Sequence, residues 1–200
     1  VTLRRPRLWL ALCALGAVIV VGLATLLVRD PDSVLDVLPG KRVAFPELDR
    51  AALDPAQARI VDVLQAQYDD QPGGSRFSEG VEEPWCADFV SWVLNEAGQP
   101  LTNPNSGSWR IPGVYTLQEY YQSAGRFAEA NGYRPHTGDV VMYADGSPLG
   151  LHTNFVVVAD DNAITTVGGN EEGGIRVHTL DDAEIAGILG YGRLNGSRSR

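Results

Sequence analysis

Three side chains far apart in the chain, Cys86, His152 and Asn170, have the types needed to attack a carbonyl and expel an amine. A thiolate is the nucleophile. An imidazole takes the thiol proton and later gives one to the departing nitrogen, while an amide holds the ring in one tautomer. Cys86 stands near the start of an apolar run, Glu83-Pro84-Trp85-Cys86-Ala87-Asp88-Phe89-Val90-Ser91-Trp92-Val93-Leu94, that reads as a helix. Pro84 suits the first helical position, and Gly98 and Pro100 close the segment. At such a helix start the unpaired N–H groups and the positive end of the dipole favour thiolate, and the Cys86 N–H is a natural oxyanion donor. Beside an imidazolium, a thiol in this position titrates at ~3.5–7.5. Taken alone, however, a cysteine in an apolar helix is most often inert packing.

Other residues compete for each role. His136 lies in a polar turn, and His178 sits between Val177 and Thr179 as an outward strand residue, so both are weaker candidates than His152. Asp88 and Asp139 could orient the imidazole. Asp88 falls on a different helix face from Cys86, and Asp139 stands where a turn enters a strand and is expected to tie that turn. Glu171 and Glu172 are usable alternates that should lie in solvent. Gln65, Gln67 and Tyr68 could polarise a carbonyl, but an ordinary helical role outweighs this. Glu79, Glu82 and Glu83 lack the regular spacing of a calcium loop, so neither a metal nor another cofactor is expected.

The elements that must position these residues fall in two blocks. Asp54-Pro55 reads as an N-cap and first helical residue, followed by Ile60, Val63, Leu64 and Tyr68 at helical spacing. The Cys86 helix follows a polar loop, and residues 114–124 make a third helix. From Gly138 the pattern changes to strands at 139–143, 152–159, 163–167, 175–180 and 188–194, separated by turns such as Asp161-Asn162 and Gly173-Gly174. The connections are too short for helical crossovers, so the sheet should be an antiparallel meander. Helices first and strands second give an α+β fold, N-terminal helices packed on an antiparallel β-meander. Neighbouring strands can then bring His152 and Asn170 together, and a docked helix can present Cys86 to them.

Residues 8–28 carry no charge, a length sufficient to cross ~30 Å of hydrocarbon at 1.5 Å per residue. Arg4, Arg5 and Arg7 precede this run and Asp30, Asp32 and Asp36 follow it, so one transmembrane helix is expected, with the short tip in the cytoplasm and the remainder outside. A cleaved signal peptide would have a shorter apolar core and a better cleavage site than Leu26-Leu27-Val28-Arg29; if cleavage occurred the protein would be secreted. Cys13 lies within the run, leaving Cys86 as a lone thiol outside the cytoplasm. The formal net charge is -9, and every acidic residue lies at Asp30 or later, so the exported part repels nucleic acid.

Pro84-Trp85-Cys86-Ala87-Asp88-Phe89-Val90-Ser91-Trp92, Gly138-Asp139-Val140-Val141, His152-Thr153-Asn154-Phe155-Val156-Val157 and Gly168-Gly169-Asn170, in this order and spacing, together resemble the CHAP domain. CHAP domains belong to the NlpC/P60-like, papain-like cysteine peptidases and amidases of bacteria. The resemblance implies a papain-like fold and hydrolysis of an amide bond in peptidoglycan peptide, by amidase or endopeptidase action. Its nucleophile falls on Cys86 and its base on His152. Many members carry a Glu two residues before the Asn, where this chain has Gly168, so Asn170 is left as the orienting residue. The domains expected are a tip and anchor at 1–29, a linker at 30–50, a CHAP-like catalytic domain at 51–194 and a polar tail at 195–200. The departure at Gly168 keeps an alternative open, a non-catalytic wall-binding or scaffold domain of the same fold. Acyl transfer to an amine would use the same residues. No wall-binding repeat is visible, so targeting rests on the tether or on an unidentified protein regulator.

Overall fold

A computed structural model describes residues 42–160 and 163–194. The anchor expected at residues 8–28, most of the linker and the tail at 195–200 lie outside the described residues. Among the described residues no helix is long and apolar enough to cross a membrane. From Val43 on, the chain forms one compact unit.

Helix α1 (Pro55–Asp70) starts as the sequence dictates. Asp54 accepts from the N–H groups of Ala56 and Gln57, and Gln57 reaches back to the Asp54 N–H, closing a capping box with Pro at the first position. Helix α2 (Cys86–Glu96) follows, then α3 (Val114–Ser123). Nearly every side of α2 is apolar and buried, because it packs against β3, β4, α1 and α3 at once. Its first helical residue is Cys86, with Trp85 as the N-cap, so Pro84 stands outside the helix and not at its first turn as expected.

The sheet has six strands: β1 (Phe127–Glu129), β2 (Val140–Tyr143), β3 (His152–Ala159), β4 (Ile164–Glu171), β5 (Gly174–Thr179) and β6 (Ile188–Gly192). The order is β1-β6-β2-β3-β4-β5, and all neighbours are antiparallel. The α+β class and the antiparallel sheet agree with the sequence. Strands β2 to β5 form the expected meander, but β6 returns across the sheet to pair with β2 and β1. A short helix, α4 (Asp182–Ala186), starts that return. Its capping box, Asp181 with Glu184, is a sequence signal for a helix start. Strand β1 was not expected, since three residues are too few to show a period.

The core lies between the helices and one sheet face, with Ile60, Leu64, Phe89, Val93, Phe155, Val157 and Val167 fully or almost fully buried there. Val141, Tyr143, Val156 and Tyr191 fill a smaller cluster. At about 25 cal/mol per Å² of apolar surface removed from water, such side chains hold α2 against the sheet firmly enough to fix where its first turn points.

Candidate active site

The tip of α2 is set by aromatic packing. Phe77 stacks on Trp85 with centroids 5.2 Å apart and meets Phe89 and Trp92 edge-on at 5.0 and 5.2 Å. Trp85 and Phe89 press onto β4 at Gly169, where a Cβ would lie 2.4 Å from Trp85 Cζ3 and 2.8 Å from Phe89 Cβ. Only a glycine lets the helix come this close. Cys86, the next residue after Trp85, is therefore delivered to the end of the sheet as a buried free thiol. No side chain caps the helix start. The first N–H groups of α2 are thus not taken up by a cap, which suits them to stabilise a negative oxygen.

His152 is the first residue of β3 and is 6% exposed. Its ring stacks on Tyr143, centroids 6.2 Å apart and planes 24° from parallel. Nε2 lies 3.2 Å from Glu171 Oε1, and the ring also hydrogen-bonds the Cys86 thiol. Burial by itself would lower the ring's pKa. The hydrogen bonds to Cys86 and Glu171, and the electrostatic attraction of both, more than reverse this and raise it to about 9. The imidazolium is the resting form at neutral pH, standing between a sulfur and a carboxylate.

Cys86 and His152, singled out from sequence, are thus brought together. Asn170 is placed differently from the expectation. Counting the β3–β4 ladder onward from Phe155↔Val167 sets His152 across from position 170. Yet β4 bulges between Gly169 and Glu171, and Asn170 adopts a left-handed backbone with φ 65°. A bulge adds one residue and so reverses the side-chain alternation beyond it. Glu171, not Asn170, then projects beside Gly168 toward the ring. A Cβ at Gly168 would stand 2.3 Å from Glu171 Oε1 and 2.0 Å from Asn154 Oδ1. The carboxylate occupies the space that the missing side chain leaves. Glu171 was expected in solvent; its side chain is 13% exposed and sits on the imidazole.

Most of the other candidates have structural partners. Asp139 is fully buried and accepts from Tyr133 Oη, His136 N and Leu194 N, tying its turn as expected. His136 is half exposed, 3.8 Å from Asp139. Tyr68 Oη donates to Val43 O, and Gln65 accepts from Arg50, so neither serves the site. His178 Nε2 lies 2.8 and 2.9 Å from the two oxygens of Glu184. Asp88, on the first turn of α2, is fully buried with Arg110 Nε 2.8 Å from Oδ1. Arg110 also pairs with Glu83. Burial, opposed by Arg110 and helped by Glu83, raises the Asp88 pKa to about 6. Among the described residues no three His, Cys, Asp or Glu side chains converge as a metal site.

Two comparisons bear on this arrangement. The family model for the CHAP domain matches residues 78–170, a span that includes Cys86, His152 and Asn170 and stops one residue short of Glu171. No curated protein matches the chain.

Proposed function

We propose, for a chain that carries a CHAP domain, that it is an extracytoplasmic cysteine hydrolase of cell-wall peptide. In general the family comprises cysteine- and histidine-dependent peptidases or amidases. The finer reading is that residues 51–194 form a papain-like catalytic domain, tethered outside the membrane by residues 8–28, that cuts one amide bond of peptidoglycan peptide. The single observation that carries it is the His152 ring held between Cys86 and Glu171.

Each group then has one task. The Cys86 thiolate attacks the amide carbon, and the developing oxyanion faces the N–H groups at the start of α2. The imidazolium of His152 gives its proton to the amide nitrogen as the carbon–nitrogen bond breaks. The ring, now neutral, takes a proton from water, and the hydroxide so formed releases the acyl group from sulfur. Glu171 keeps the ring in place and supports its positive charge, as the acidic third member does in other such sites. A carboxylate in that position favours catalysis over the scaffold alternative, which drew its support from Gly168.

The test is Cys86→Ala in the full chain, incubated with purified peptidoglycan and read by mass spectrometry of the released fragments. Loss of new termini, with the circular dichroism spectrum retained, is expected. Release equal to that of the parent would overturn the reading, and the new termini of the parent identify which bond is cut.

A further inference from the structure

We propose that the cavity beside His152 binds a carboxylate on the leaving half of the substrate, and that Arg176 reads it. The inference rests on the hydrolase reading above and deepens it. This cavity has a volume of about 430 Å³, and His152, Glu171, Arg176 and His178 are among the residues that line it. Ile175 and Val177 of β5 are buried in the core, so Arg176 and His178, alternating with them, share the opposite face of the strand.

The charges of this cavity are unequally matched. Glu171 is engaged by His152, and Glu184, 7% exposed, holds His178 through both oxygens. Among the described residues Arg176 has only Glu172 as a counter-ion, with Nε 3.6 Å away and a carboxylate side chain 85% exposed, and its Nη1 donates to Ile175 O at 3.4 Å. Such a pair contributes little, and a guanidinium cannot shed its charge. A carboxylate entering the cavity meets a cation that no buried acid among the described residues neutralises, and a guanidinium is the side chain able to offer it paired hydrogen bonds.

The other side of the site has the opposite character. A second cavity, about 350 Å³, is lined by Glu82, Glu83 and Trp85, and Asn170 borders both cavities. Arg110 pairs with Glu83, and Glu82 still disfavours a carboxylate there. The two cavities thus impose a direction on the substrate. His152 delivers its proton to the leaving nitrogen, so the leaving half lies on the His152 side and the acyl half over the start of α2. The bond cut is therefore one whose amine carries a carboxylate close by. An amide whose leaving residue has that carboxylate capped as a carboxamide is a poorer substrate.

Binding tests this without turnover. Cys86→Ala in the full chain is titrated calorimetrically with γ-D-glutamyl-L-lysine and with the same dipeptide carrying a carboxamide in place of the glutamyl α-carboxylate. A charged hydrogen-bonded pair predicts about tenfold tighter binding of the carboxylate form. Adding Arg176→Gln should abolish that preference and leave the affinity for the carboxamide form unchanged. Equal affinity for the two dipeptides, no binding of either, or an equal loss for both in the Arg176→Gln variant would each overturn the subsite. None of these outcomes touches the role of Cys86, which the peptidoglycan digest decides separately.

Discussion

Glu171→Gln is the sharpest probe of the site, because it removes one charge and keeps the shape. The His152 pKa stands at about 9 against an ordinary 6.5. That difference corresponds to roughly 3 kcal/mol in favour of the protonated ring. Burial works against the ring, so Cys86 and Glu171 together supply more than the net figure. Removing the carboxylate leaves the thiol contact and the burial penalty, and should lower the pKa by about 1–2 units. The competent ring is protonated. Activity therefore persists below the ring's pKa and falls as pH rises through it, at about 9 in the parent. In the variant the fall moves to about 7–8, which costs roughly three- to twenty-five-fold in kcat/KM at about pH 8.5 from protonation alone. Digestion of peptidoglycan across this pH range, with Cys86 alkylation by iodoacetamide as a readout free of turnover, measures the shift. An alkaline limb still at about 9 in Glu171→Gln would refute the assignment. So would a limb that moves instead in Asn170→Ala.

Two further outcomes follow from the same geometry. Gly168→Ala places a methyl group in the space of Glu171 Oε1 and Asn154 Oδ1, and the flexible carboxylate is the group that can yield. The variant should show the same lowered alkaline limb as Glu171→Gln, measured in the same assays; an unchanged limb would mean that the carboxylate does not depend on that space. Arg110→Leu strands the buried Asp88 carboxylate. The Asp88 pKa, already raised from 3.8 to about 6, climbs further, so stability that is complete below about 4 is lost more steeply as pH rises through 6. Thermal unfolding should show a loss of about 3–5 kcal/mol near pH 8 that shrinks toward pH 4. An equal loss at both pH values would mean that Arg110 acts by packing and not by charge.

What the sequence made legible was what repeats. The all-round apolar pattern of α2, the capping box at Asp54 and the valine-rich run of β3 are local signals, and each element forms over those residues. The start of α2 slipped by two residues because proline chemistry does not record how closely Trp85 packs on Gly169. The return of β6 beside β2 was invisible, since strand order depends on which edge is still open when the last strand arrives. That Glu171 lies on the imidazole was missed for a related reason. Alternation along β4 is a rule about a regular strand, and a left-handed residue breaks it without leaving a hydrophobic mark. The signal that could have revealed it is Asn itself, which adopts that conformation more readily than most residues.

Gly168, Gly169 and Asn170 are best understood as one device with two faces. Gly169 removes a side chain from the helix face, so that Trp85 and Phe89 set Cys86 close to the sheet. Gly168 removes one from the other face, and the turn at Asn170 sends Glu171 into that gap. A carboxylate on residue 168 and one on residue 171 would claim the same volume, so a chain can hold one or the other there and not both. The glycine at 168 is the condition under which a carboxylate three residues later reaches the imidazole.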